Sequence, residues 1–119
     1  MASDTKPKFV HLRVHSAFSL LEGALKLDQI IKFAKGDDAP AIGICDTNNL
    51  FGALEFSEKA SKAGIQPITG CQIDVEFSDC EESRGGRRER SLASIAPLVL
   101  IAATEAGYAN LVEIVSLAY

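Results

Sequence analysis

The stretch "VHLRVHSAFSLLEGA", Val10 to Ala24, runs from an apolar, β-prone segment into a short loop. It carries both histidines of the chain, His11 and His15, with Arg13 between them. Phe9 to His15 alternates in the manner of a strand. Residues two and four apart on a strand share a face, so His11, Arg13 and His15 point the same way. Histidines at a strand end serve either as hydrogen-bonded structural residues or as metal ligands, and the rest of the chain has to decide between the two.

Downstream, Leu27, Ile30, Ile31 and Ala34 follow the i, i+3, i+4, i+7 spacing of one helix face. Gly36 suits the end of that helix and Pro40 stops its continuation. "AIGIC", Ala41 to Cys45, is almost wholly apolar, as in a parallel strand covered on both faces. "DTNN", Asp46 to Asn49, collects turn and N-cap formers. A second helix is predicted from Leu50 to Ala63, with Ala53, Phe56, Ala60 and Ala63 on one face and Gly64 closing it. "IQPITGCQIDVEF", Ile65 to Phe77, reads as a third strand region. "PLVLIAA", Pro97 to Ala103, reads as a fourth strand. The helix after it places Tyr108, Leu111, Val112 and Val115 on one face. Residues 1–8 read as a disordered tail. Residues 78–94, with four acidic and four basic residues and two adjacent glycines, read as a mobile surface loop.

The order βαβαβ–loop–βα predicts an α/β fold, a parallel sheet with right-handed crossovers, over residues 9–119. The chain stops inside its last predicted helix without a cap, as a truncated domain would. The sheet edges and the apolar face of that helix then lack cover, which predicts self-association of the fragment.

Bulk composition narrows the function. The chain has 119 residues, 47% hydrophobic and 24% charged, with net charge −4. That balance excludes nucleic-acid binding through bulk positive charge. No apolar run is long enough to span a bilayer, and "MASDTKPK" lacks the core of a signal peptide, so a cytoplasmic protein is expected. Cys45, Cys71 and Cys80 show no CxxC spacing. Cys45 and Cys71 lie in apolar runs, where buried free thiols are common.

In parallel α/β folds the chemistry gathers at the C-terminal ends of the strands. The candidates there are His11, His15, Glu22, Asp46, Asn48, Asn49, Gln72 and Asp74. Arg13 is permanently charged and repels a cation. The residues by themselves therefore leave a metal site open without favouring it.

Four collinear segments make the pattern specific: "FVHLRVHSAFSLLEGA", "AIGICDTNNLFGALEF", "GIQPITGCQIDV" and "PLVLIAATEAGYANLVEIVS". Together they resemble the PHP (polymerase and histidinol phosphatase) domain that begins the bacterial replicative DNA polymerase III alpha subunits. The resemblance covers about Phe9 to Tyr119, apart from the 78–94 loop. It implies the N-terminal portion of a (β/α)7 barrel with a metal cluster at the strand ends. Intact members of the family end the first strand in His-x-His, where this chain has Arg13-Val14-His15. Glu22 in "LLEG" stands for the acid of the next loop. Asp46-Thr47 stands where Asp-His is usual, Gln72 where a glutamate follows a glycine by two residues, and Pro97 where a histidine opens the fourth strand. His15, Glu22 and Asp46 thus keep ligand-capable groups, whereas Arg13, Thr47, Gln72 and Pro97 do not. The resemblance implies a site that has lost its metal, with Arg13 standing in for the cation and pairing with Asp46 or Glu22.

By the same resemblance the role of this segment is structural. It would support the other domains of the alpha subunit and dock a partner such as the proofreading exonuclease. DNA contact and magnesium belong to the parent polymerase, and no cofactor or catalytic residue is expected in this segment. The alternatives are a metal-dependent phosphoesterase or pyrophosphatase of the same superfamily, and an unrelated α/β module for a small ligand.

Overall fold

The computed structural model describes residues 9–77 and 94–118. The expectations for the tail, for residues 78–93 and for Cys80 lie outside the described residues. Six elements follow in order: α1 (Leu27–Gly36), β1 (Ala41–Thr47), α2 (Ala53–Lys62), β2 (Gln66–Phe77), β3 (Ser94–Ile101) and α3 (Glu105–Ala118).

The apolar stripes account for the packing. Leu27, Ile30, Ile31 and Ala34 of α1 are all buried, against Ile42 and Ile44 of β1 and Phe56 and Ala60 of α2. At the far side of the two helices, the Lys59 ammonium bridges Asp28 at 2.7 Å and Glu55 at 2.8 Å. α1 continues through Gly36, and Asp38 supplies the left-handed residue after it (φ 55). α2 starts three residues later than its apolar pattern suggests. Asn48 turns left-handed (φ 58), and the Asn49 side chain accepts from the Phe51 amide, so residues 48–52 form a turn first. Gly64 (φ 78) closes α2 where glycine was expected.

The sheet runs β1-β2-β3. β1 and β2 are parallel, with Asp46 opposite Cys71 and Thr47 opposite Gln72. The segment before α1 lies along the outer side of β1. It is extended and makes a single parallel bridge, Val14 to Ile44, instead of the full strand predicted for Phe9 to His15. His11 and Val14 still exchange backbone hydrogen bonds with Gly43 and Cys45 at 2.7–3.2 Å. The chain then leaves the sheet at Ser16 to cross the end of β1.

β3 corrects the expectation of an all-parallel sheet. It pairs antiparallel with β2, from Gly70 opposite Ile101 to Phe77 opposite Ser94. A parallel return needs a crossover that carries the chain back along the sheet, usually a helix with an apolar face. The 78–93 sequence offers no such face. Among the described residues the architecture is a mixed sheet with helices.

Of the face predicted for the last helix, Leu111 is buried and Val115 half-buried, while Tyr108 and Val112 remain exposed. No described helix is long and apolar enough to cross a membrane.

Cys45 and Cys71 are free and fully buried. Burial, with the neighbouring Cys71 thiol and Asp46 carboxylate adding to it, pushes the Cys45 thiol up from 9.0 to about 11. Burial also raises Cys71. Both thiols are therefore protonated as well as inaccessible near neutrality. In a Cys80→Ser variant we expect neither to react with a thiol reagent while the chain is folded, and both to react in denaturant. Rapid native labelling of either would contradict the packing of β1 on β2. The sign of the linkage is also set. An unfolded chain releases the Cys45 proton near 9.0 while the folded one holds it to about 11, so stability should fall as pH rises through that window.

Candidate functional site

The loop between the edge segment and α1 folds over the C-terminal end of β1 and brings the site together. Asp46 is the centre, 3% exposed at the end of β1. Its Oδ1 accepts from the Ser16 amide and the Ser19 hydroxyl, and its Oδ2 from the Ser16 hydroxyl, each at 2.7 Å. Hydrogen bonds to an ionised acceptor are the strong kind, and these three replace the water that Asp46 gives up. The network continues outward. The Thr47 amide donates to Ser19 Oγ at 3.0 Å, and the Thr47 hydroxyl donates to Glu22 Oε2 at 2.6 Å. His15 stands beside it, with Nδ1 3.5 Å from Ser19 Oγ and Nε2 4.0 Å from Glu22 Oε2.

Glycine makes this loop path possible. A Cβ on Gly23 would meet the Ser16 carbonyl and would lie 2.8 Å from the His15 carbonyl oxygen. The returning strand of the loop can sit this close only without a side chain.

Arg13 corrects a second expectation. Its guanidinium does not pair with Asp46 or Glu22. Nε and Nη2 both donate to Gln72 Oε1, at 2.8 and 2.6 Å. Asp46 already has its acceptors filled by the two serines, and Gln72 lies opposite Thr47 on β2 with its amide oxygen within reach. The bond ties the edge segment to β2 across the end of β1.

Six of the seven residues singled out from the family pattern therefore gather here: Arg13, His15, Glu22, Asp46, Thr47 and Gln72. Pro97 does not join them. It is exposed on β3 opposite Asp74, two residues beyond the Gln72–Val99 pair. Asp74 is likewise exposed on that extension. His11 is exposed and stacks edge-on with Phe9, ring centroids 4.6 Å apart. Asn48 shapes the backbone, its amide donating to the Gln72 carbonyl. Buried Asn49 donates to the Phe18 and Thr47 carbonyls.

Ser16 and Ser19, the groups that satisfy Asp46, were absent from the sequence candidates. Their signal is faint: two hydroxyls three residues apart after a strand, as common in turns as in sites.

This donor set does not fit a metal ion. A divalent cation needs several carboxylates or neutral imidazoles converging without a competing cation. Here the buried carboxylate has three hydrogen-bond donors in place, and a guanidinium and an amide occupy the neighbouring positions. Among the described residues no group of three or more His, Cys, Asp and Glu side chains is arranged to hold a metal.

Comparison with known proteins gives the family from sequence, and a like fold among solved structures. Residues 11–119 match the family model described as "PHP domain". The DNA polymerase III subunit alpha of Caulobacter vibrioides is 53% identical over 111 residues, covering 93% of this chain and 9% of that protein. The subunit of the same name from Borreliella burgdorferi is 39% identical over 115 residues, 96% of this chain and 10% of that protein. The chain thus spans about a tenth of the length of these relatives. Among solved structures, an amidohydrolase from Chromobacterium violaceum with bound sulfate and no metal superposes with a TM-score of 0.60 at 23% identity, covering 88% of this chain and 32% of that one. A putative metal-dependent phosphoesterase from Bifidobacterium adolescentis gives 0.61 at 14% identity, with 90% and 33% covered. The chain belongs to the PHP domain family.

Proposed function

We propose that this chain is the N-terminal PHP segment of a replicative DNA polymerase III alpha subunit, and that the segment works without a metal as a structural and docking module. Relatives named for that subunit, aligned over nearly the whole chain, support the first half. The observation that carries the second half is the hydrogen bonding of Asp46, with two serines and a backbone amide in the place of a cation. Arg13 on Gln72 adds to it, because a fixed positive charge beside the carboxylates opposes metal entry. Arg13, His15, Glu22, Asp46, Thr47 and Gln72 then mark a vestigial site, to which Pro97 belongs by the family pattern alone. Its residues hold the loop, the edge segment and β2 together instead of activating water.

In this reading the polymerase chemistry and its magnesium belong to domains of the parent protein, which acts in the cytoplasm. The segment's partners are those domains and, as a second docking candidate, the proofreading exonuclease. A metal-dependent phosphoesterase is the competing reading, and the filled carboxylate stands against it.

The test is elemental analysis with a chelator control. We expect no stoichiometric zinc, manganese or magnesium in the purified chain, and an unchanged melting temperature after EDTA. About one metal per chain, lost in His15→Ala, would overturn the vestigial-site reading.

A further inference from the structure

The backbone bonds of the sheet fix which way each peptide of β2 and β3 faces. Toward β1, the Gln66 amide donates to the Pro40 carbonyl, and the Gln72 carbonyl accepts from the Asn48 amide. Toward β3, the Thr69 carbonyl accepts from the Ala102 amide at 2.9 Å, so residues 69 and 102 are a hydrogen-bonded pair. Bonded and open pairs alternate along an antiparallel ladder. Counting from residue 69, the bonded pairs are Cys71–Leu100, Ile73–Leu98 and Val75–Ala96, and the open pairs include Asp74–Pro97 and Glu76–Ile95. Pro97 therefore turns its ring nitrogen away from β2, toward the outer edge of β3. A proline at 96 or 98 would remove a bond to β2, whereas at 97 it removes none. Neither Pro97 nor Asp74 takes part in the network around Asp46, so both stand without a role there.

β1 ends at Thr47 opposite Gln72, and Asn48 turns the chain away at φ 58. Beyond that point β2 and β3 continue as a two-stranded ribbon, residues 73–77 with 94–98. On the outer edge of β3 the backbone groups that face outward are those of Ile95, Pro97, Val99 and Ile101, and the proline has no N–H to offer. On the opposite edge the outward groups are those of Asp74 and Glu76, both with exposed carboxylate side chains. Proline and charge are two means by which an edge strand avoids adding another strand, and the ribbon has one on each edge. We propose that this ribbon is closed to strand addition by a second copy of the chain, through Pro97 on the edge of β3 and through Asp74 and Glu76 on the edge of β2. Self-pairing on β3 is thereby confined to Val99 and Ile101, past the proline, where the outward amides are intact. The inference does not depend on the polymerase reading, since it follows from the register of the sheet.

Amide exchange resolved residue by residue, over a series of concentrations of the chain, reads both edges. Val75 and Ala96, bonded to each other, should exchange at least about a hundredfold more slowly than Glu76 and Ile95, which face the two edges. That ratio should hold at every concentration. Protection of Glu76 or Ile95 that grows with concentration would show a strand adding to the ribbon and overturn the proposal. Equal rates at all four positions would overturn it too, because the ribbon would not exist. Pro97→Thr restores the missing N–H in a β-prone residue. The bond regained in each copy should tighten self-association, read by light scattering, by about tenfold or more, with the Ile95 amide newly protected. Slow exchange of Val75 and Ala96 in the variant shows that its ribbon is folded. Adding Ile95→Pro puts a proline back at the next outward-facing position and should return association to the wild-type level. A Pro97→Thr chain that associates no more tightly than wild type overturns the proposal. So does one whose association leaves Ile95 unprotected or persists after Ile95→Pro, since the contact then lies elsewhere.

Discussion

Asp46→Ala is expected to cost the chain about 4 kcal/mol of folding free energy, read from denaturant unfolding. The substitution removes the acceptor of three short hydrogen bonds. It leaves the Ser16 amide proton and the hydroxyl protons of Ser16 and Ser19 without their acceptor in a site where Ser16 and Ser19 are almost wholly inaccessible. Each buried unsatisfied group costs roughly 1–3 kcal/mol, and the three are not additive because they share one carboxylate. Asp46→Asn keeps the shape and one acceptor oxygen, so it should cost about half as much. A loss below about 1 kcal/mol for Asp46→Ala would mean that the serines find other partners, and that the network does not hold the loop. The experiment also bears on function. If a metal were the natural partner of Asp46, chelation would destabilise the wild-type chain in the same direction as the mutation. In the metal-free reading only the mutation does.

Gly23→Ala should cost about 3 kcal/mol, near the upper end for inserting a single methyl group into a close-packed position. The new Cβ would fall against the Ser16 and His15 carbonyls, which are backbone atoms and cannot rotate aside. The loop must move to admit it. Ser16 and Ser19 lie on the same loop, and the Gly23 amide donates to the Ser19 carbonyl at 2.9 Å. The two substitutions therefore act on one unit. In an Asp46→Ala background the added cost of Gly23→Ala should shrink by 1 kcal/mol or more, the behaviour of coupled neighbours. Simple additivity of the two losses would show that Gly23 acts through local strain alone.

Much of the fold was legible because it depends on short-range periodicity. Leu27, Ile30, Ile31 and Ala34 recur at helical spacing, and all four enter the core. The apolar run of β1 and the glycine at position 64 also have purely local causes. β3 was different. An apolar run of its length is compatible with either strand direction, and the direction follows from what joins it to β2. A polar connection without a helical face leaves pairing back along β2 as the available course. The same holds for Phe9 to His15, whose alternation is real but whose pairing is limited to one side at the edge of the sheet.

The site divides in the same way. The family pattern picked out His15, Glu22, Asp46 and the replaced positions Arg13, Thr47 and Gln72 from residue identity and order. Their meeting at the end of β1 follows from the parallel register, which sets Thr47 opposite Gln72. Identity could not say what they bond to. Coulombic attraction by itself suggests Arg13 on Asp46 or Glu22, yet Asp46 is filled by Ser16 and Ser19, and Arg13 turns to Gln72. Pro97 lay in the pattern but not in the site, because the antiparallel register of β3 carries it past the end of β1.

By itself the sequence determined the helical faces, the apolar strands and the family, since each is written in spacing and order along the chain. Only the tertiary structure decided the direction of β3, the partner of Arg13 and the burial of two serines around one carboxylate. Those outcomes depend on which donors reach an acceptor first in three dimensions, and residues far apart in the chain compete for that place.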